Sequence, residues 1–184
     1  MAVSKLTISS ELPEQFVYEL GVYLQTCAHI ELTACSLICS LEHLKPEDEG
    51  FTPRFFELRK LKLGDLIKTL GKAATSLPKD DYVGLKDITR WFQDNQIYRH
   101  MAAHGAFQWL EDEKKLRIHY VHKRKLNKKT VYEPETRLVE RKDVLSMVND
   151  ADRLLRILTG LDMRIISGDL ILTQAEPNED LLQE

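Results

Sequence analysis

The residues best suited to chemistry in this chain are an arginine and two histidines that lie close together, Arg99, His100 and His104. A guanidinium presents a fixed fork of donors that suits a phosphate, and an imidazole exchanges protons readily near neutral pH. On a helix, His100 and His104 lie one turn apart on one face, whereas Arg99 and His104 are roughly 140° apart. A site that uses both Arg99 and His104 therefore needs side chains that converge over the helix end, or a second copy of the chain.

The neighbouring small residues favour the second copy. Ala102, Ala103 and Gly105 would allow another backbone to approach closely, so we expect a homodimer formed through this region. His104 is expected in the last helical turn, where exposed carbonyl groups favour the imidazolium. It is therefore a candidate proton donor or phosphate ligand.

Helices must position these residues. Apolar residues recur at intervals of three and four from Leu12 to Leu44 and predict a first long helix. Thr52 and Pro53 are typical of a helix start, and the second helix is expected to bend at Gly64 and to end before Ser76-Leu77-Pro78. The third is predicted over about residues 82–104.

Two further signals complete the helical pattern. Gly105 is expected to end the third helix in the left-handed conformation. Asp143 is expected to cap a last long helix that continues to about Gly160. The sequence thus predicts an all-α fold, a bundle of four to five helices in one domain over residues 1–168, followed by an acidic tail over residues 169–184.

Between the third and last long helices the period changes to two. Leu116, Ile118 and Tyr120 alternate with Arg117 and His119, which predicts a small β-hairpin over about residues 114–133. Residues 114–130 carry eight basic side chains and no acid, although the whole chain has a net charge of −3. Such a hairpin suits contact with the phosphates of RNA, and its candidate RNA-binding residues are Lys123, Arg124, Lys125, Lys128 and Lys129. Solvated edge-strand protection and a protein partner remain open alternatives.

Several classes of protein are not indicated. No apolar run approaches the roughly 18 to 20 residues that a bilayer span requires, and no secretory pattern opens the chain, so we expect a cytoplasmic protein without a membrane partner. Cys27, Cys35 and Cys39 form no CxxC pair and are expected to be reduced, buried thiols. No Gly-rich phosphate loop is present.

The motif from Ile97 to Gly105, Ile-Tyr-Arg-His-Met-Ala-Ala-His-Gly, resembles the signature of the HEPN superfamily (higher eukaryotes and prokaryotes nucleotide-binding domains). Many members read Arg-Asn-x-x-Ala-His-Gly at the end of a helix. The stretch Leu63-Gly64-Asp65-Leu66-Ile67 is similar to the Leu-Gly-x-Leu-Ile often seen in the preceding helix. His100 stands where Asn or Asp is common.

The resemblance implies a helical bundle that dimerises, so that two Arg-x4-His motifs face each other in a metal-independent endoribonuclease site without a cofactor. Arg99 would hold the scissile phosphate, His104 would transfer a proton, and His100 would support the site. Some relatives bind RNA without cutting it, and others are toxins neutralised by an antitoxin or proteins of phage defence. The resemblance therefore leaves open an antitoxin partner and a role in defence.

Other interpretations of the same residues stay open. His100 and His104 could chelate a metal ion if His29, His43 or an acid supplied a third ligand. Glu31, within an otherwise apolar stretch, is expected either to orient Arg99 or to face water. A non-catalytic RNA- or protein-binding module is the remaining alternative.

Overall fold

The computed structural model describes residues 12–126 and 129–172, and it describes residues 122–126 by their backbone alone. These residues form five α-helices and one three-stranded antiparallel sheet. The helices are α1 (Glu14–Leu41), α2 (Phe51–Leu58), α3 (Leu63–Ala73), α4 (Lys79–His104) and α5 (Arg141–Ile166), and the strands are β1 (Ala106–Leu110), β2 (Lys115–Leu126) and β3 (Lys129–Val139). The mostly helical character and the number of helices were predicted correctly.

The chain divides into two compact units. The first unit holds the start of α1, the end of α4, the whole sheet and the start of α5, and its described residues are 12–25 and 97–149 apart from 127–128. The second unit holds the remaining helical segments, over residues 26–96 and 150–172. Every residue of the Arg99–His104 motif therefore belongs to the first unit.

Each unit has its own apolar core. In the first unit the buried side chains include Phe16, Tyr23, Met101, Leu116, Ile118 and Val144. In the second unit they include Ile30, Leu37, Ile38, Leu58, Leu66, Leu70, Leu85 and Leu158. Removing these side chains from water supplies the main driving force for folding.

The region predicted as one helix from Thr52 is two helices. α2 begins at Phe51 with Gly50 as its N-cap, and it ends at Leu58. The residue before α3, Lys62, has an extended backbone with ψ 150°. The break lies before Gly64, in a stretch without Gly or Pro, so packing rather than a local breaker sets it. It allows Leu58 and Leu66 each to be buried on a separate helix.

The predicted β-hairpin is part of a larger sheet. β2 pairs with β3 as expected, but β1 adds a third antiparallel strand, with Ala106 opposite His119 and Leu110 opposite Lys115. Phe107 and Trp109 on β1 lie opposite Ile118 and Leu116, which are both buried. The sequence analysis missed β1 because its five residues are too short for an alternation to stand out.

Paired residues share a face of an antiparallel sheet, so the register defines two faces. The inner face carries Leu116, Ile118 and Val139, which are buried, together with Tyr120, Glu135 and Arg137. The outer face carries Gln108, Arg117, His119, Val121, Tyr132 and Leu138, together with Ala106, Pro134 and Thr136. These names are used below for the two sides of the sheet.

Two other expectations concern the long helices. By length and composition α1 could cross a membrane, contrary to the expectation that no segment would qualify, and half of its most apolar stretch is buried inside the structure. α1 ends at Leu41 rather than Leu44, and His43 has a left-handed backbone with φ 62°. In the expected tail, Leu170 is buried and its N–H donates to Arg164 O at 2.9 Å, while residues 173–184 lie outside the described part of the chain.

Candidate active site

The Arg99–His104 motif occupies the last turn and a half of α4, as the sequence predicts. His104 is the final residue of the helix and is exposed, whereas Arg99 and His100 are half-buried. The His100 and His104 rings stack with centroids 6.2 Å apart and planes inclined by 25°. The two imidazoles therefore form one surface at the helix end.

Gly105 joins this helix end to the sheet, but not by the predicted conformation. Among the described glycines only Gly168 has a positive φ, so Gly105 is not a left-handed helix terminator. A Cβ at Gly105 would lie 2.5 Å from Met101 O and 2.7 Å from Ile118 Cγ2. Glycine is needed because the turn after α4 packs directly against β2.

The small residues of the motif are thus largely used within the chain. Ala102 is buried in the first unit, and Gly105 faces Ile118 of the same chain. Ala103 is exposed and remains available to a second backbone. Of the three small residues expected to admit a second chain, only Ala103 is thus exposed for such a contact. The dimer itself stays a prediction.

Arg137 on β3 connects the sheet to α4, and the sequence analysis missed it. Its Nη1 donates to Tyr98 Oη at 3.1 Å, and its guanidinium carbon lies 5.2 Å from the Tyr98 ring centroid. Its Nε donates to Glu135 Oε1 at 2.5 Å, and this hydrogen bond is the main reason why the pKa of Arg137 is raised. Because Tyr98 precedes Arg99, Arg137 helps to fix the turn that carries the motif. No local sequence signal marks this role, because Tyr98 lies 39 residues away in the chain.

The candidate RNA-binding residues lie at the far end of the sheet from β1. Lys123, Arg124 and Lys125 belong to β2, where their backbones pair with Tyr132, Val131 and Thr130. Lys129 begins β3 and is exposed, and Lys128 lies outside the described residues. Their contact with RNA remains a prediction.

Glu31 lies in the second unit rather than with the motif. It is half-buried and lines an apolar pocket with Ile30, Leu66, Ile67 and Phe92. Half-burial is compatible with the edge of the apolar stripe, so the two expectations for Glu31, that it orients Arg99 or faces water, both stay predictions.

The remaining chemical candidates are histidine and cysteine clusters. Among the described residues, no group of three or more His, Cys, Asp and Glu side chains is arranged to hold a metal ion, so a single chain offers His100 and His104 no third ligand there. Cys27, Cys35 and Cys39 form no disulfide and are buried, as predicted. Burial raises the pKa of the Cys35 and Cys39 thiols to about 11, which makes them poor nucleophiles at neutral pH.

Comparison with known protein families, with curated proteins and with solved structures finds no match to this chain. The functional argument therefore depends on the residues themselves and on the geometry of the first unit.

Proposed function

We propose that this protein is a metal-independent endoribonuclease of the HEPN kind, acting on single-stranded RNA as a homodimer in the cytoplasm. The observation that carries the proposal is the arrangement at the end of α4. There the exposed His104 ring stacks with the ring of His100, the residue directly after Arg99. In the cleavage of RNA by its own 2′-hydroxyl, an arginine can bind the phosphate and an imidazole can transfer a proton.

In the proposed reaction, the ribose 2′-oxygen attacks the adjacent phosphorus and loses its proton to a base. The bond from phosphorus to the 5′-oxygen breaks, that oxygen gains a proton, and the other product ends in a 2′,3′-cyclic phosphate. Arg99 holds the non-bridging phosphate oxygens, His104 transfers one of the two protons, and a water molecule transfers the other. The nucleophile belongs to the substrate, so the protein needs to supply position and proton transfer.

The packing around the motif supports this proposal. Met101 and Ala102 are buried, Gly105 is packed against Ile118, and Arg137 bonds to Tyr98. Side chains that must hold reacting atoms work best on elements that are held in this way. His100, through its ring contact with His104, would orient the catalytic imidazole.

The decisive experiment compares wild type with His104→Ala and Arg99→Ala on labelled single-stranded RNA in EDTA. We expect cyclic-phosphate ends from wild type and at least a hundredfold slower cleavage by either variant. Matched controls are His29→Ala, an exposed histidine on α1, and Arg90→Ala, an exposed arginine on α4, and both should cleave like wild type. A substrate with 2′-deoxyribose at the scissile position should resist.

Cleavage that persists in His104→Ala would reject the catalytic assignment. A folded wild type that binds RNA without cutting it would instead favour the alternative, a non-catalytic RNA-binding module. Whether an antitoxin partner or phage defence is involved is a further part of the proposal, to be tested by co-expression with neighbouring genes.

A further inference from the structure

Charge is segregated between the two faces of the sheet. The acids of β3, Glu133 and Glu135, share the inner-face register with Arg137. Among the described side chains of the outer face there is no acid, whereas Arg117 and His119 lie side by side along β2. A face with basic groups and no acid is complementary to a polyanion.

The same face exposes apolar and aromatic side chains. Tyr132 is 64% exposed, Val121 55% and Leu138 50%. Tyr132 and Val121 are on adjacent strands, and the register places the backbone of Lys123 opposite Tyr132. An exposed ring beside basic positions suits a nucleobase, because bases stack on aromatic rings while their phosphates need cations.

Hydrogen bonds hold the polar groups of this face in place. Arg117 Nη1 donates to Gln108 Oε1 at 3.3 Å, across β1 and β2. His119 Nδ1 lies 3.0 Å from Thr136 Oγ1, across β2 and β3, and this contact does not involve Nε2. Arg117 thus presents its remaining N–H donors, and His119 its Nε2, on this face of the sheet.

The end of α4 lies near one end of the outer face. His104 is two residues before Ala106, and Ala106 is the cross-strand partner of His119. Chain geometry therefore keeps the Cα atoms of His104 and His119 within about 13 Å. A single-stranded polyanion bound along the outer face would pass close to the Arg99–His104 motif.

We propose that the outer face of the sheet binds single-stranded RNA, with a base stacked on Tyr132 and phosphates held by Arg117 and His119. This inference rests on the proposed function for its choice of RNA as ligand, and it adds the surface that delivers the strand to His104. Single-stranded RNA fits better than a duplex because a stacked base must be unpaired.

The test measures binding of a fluorescein-labelled single-stranded RNA by anisotropy, with the full chain in a His104→Ala background so that the probe stays intact. Tyr132→Ala and Tyr132→Leu should each weaken binding about tenfold, and Arg117→Ala should weaken it and reduce its salt dependence. Tyr132→Phe keeps the ring and should bind within about twofold of the parent protein. Tyr18→Ala is the matched control, because Tyr18 is 73% exposed and belongs to α1 rather than to a strand of the sheet.

Thermal melts of the variants identify any that fail to fold. If one of the two variants Tyr132→Ala and Tyr132→Leu does not fold, the other still tests the proposal. Unchanged affinity in both Tyr132 variants would overturn the inference, as would equal affinity for a duplex of the same length. Cleavage by wild type together with unchanged binding in the variants would overturn the surface but leave the nuclease. Tyr132-dependent binding without any cleavage would reject the nuclease and support the surface as an RNA-binding site.

Discussion

At the scale of single residues, Gly105 is the most constrained position next to the motif. An alanine there would place Cβ 2.5 Å from Met101 O and 2.7 Å from Ile118 Cγ2, and the first of these atoms belongs to the backbone. We expect Gly105→Ala to lower the free energy of unfolding by about 1–3 kcal/mol, the usual cost of overpacking. Urea denaturation measures the change directly.

Gly84→Ala, within α4, is the control for Gly105→Ala. A Cβ at Gly84 meets nothing within 4 Å, so the substitution should raise helix propensity and stabilise the protein by up to about 1 kcal/mol. A Gly105→Ala protein as stable as wild type would show that the turn after α4 can move away from β2.

The buried thiols predict a pH dependence. Burial raises the pKa of Cys35 and Cys39 to about 11, against 9.0 when exposed. Below pH 9 the folded and the unfolded chain both keep the protons of these thiols, so the free energy of unfolding has its full value. As the pH rises toward 11, the unfolded chain loses these protons first, so the free energy of unfolding should fall.

The measurement is the urea midpoint at several pH values between 8 and 11, for wild type and for Cys35→Ala/Cys39→Ala. The double variant should be less stable throughout, because it leaves cavities, but its loss of stability with pH should be shallower. Identical pH slopes would contradict the assignment, since other alkaline groups contribute equally to both proteins.

At the scale of the elements, α5 depends on a local cap. The sequence predicts Asp143 as its N-cap, whereas the helix begins at Arg141 and Asp143 Oδ2 accepts from the N–H of Glu140 at 2.9 Å. This is the reverse bond of a capping box, in which the third helical residue binds the capping residue. Asp143→Ala should cost about 0.5–2 kcal/mol.

Asp152→Ala is the comparison within α5, because Asp152 makes an exposed ion pair with Arg156 four residues later. Its loss should cost at most about 0.5 kcal/mol. Equal effects of the two substitutions on the urea midpoint would mean that the Glu140 bond does not stabilise the helix start.

The same elements show how far a sequence determines structure. The end of α4 and the pairing of β2 with β3 follow from local signals, a clear 3.6-residue period and a clear alternation. The split between α2 and α3 has no local breaker, and β1 is too short for its period to be read. The role of Arg137 depends on Tyr98, 39 residues away in the chain, so no local pattern reveals it.

The candidate site follows the same rule. Arg99, His100 and His104 lie close together in sequence, and a helix brings them to one end by its geometry alone. The segregation of acids from the outer face depends on the register of β2 against β3, which fixes which residues share a side. Charge counting along the chain detects the basic segment but cannot assign it to a face.

At the scale of the whole molecule, the proposed nuclease depends on two copies of the chain. On α4 the directions of Arg99 and His104 differ by roughly 140°, so in a composite site one copy can supply the arginine and the other the histidine. Arg99→Ala and His104→Ala should each be inactive alone. In a statistical mixture, mixed dimers are about as abundant as the two parents together, and each retains one Arg99 and one His104 on different chains.

We therefore expect the mixture to recover a measurable part of wild-type cleavage after subunit exchange. The control mixes Arg99→Ala with the double variant Arg99→Ala/His104→Ala, a pair that contains no Arg99 and should stay inactive. Analytical ultracentrifugation of the same samples establishes whether dimers form. Dimers that exchange without regaining activity would place Arg99 and His104 of each site in one chain, and an active monomer would remove the need for a second copy.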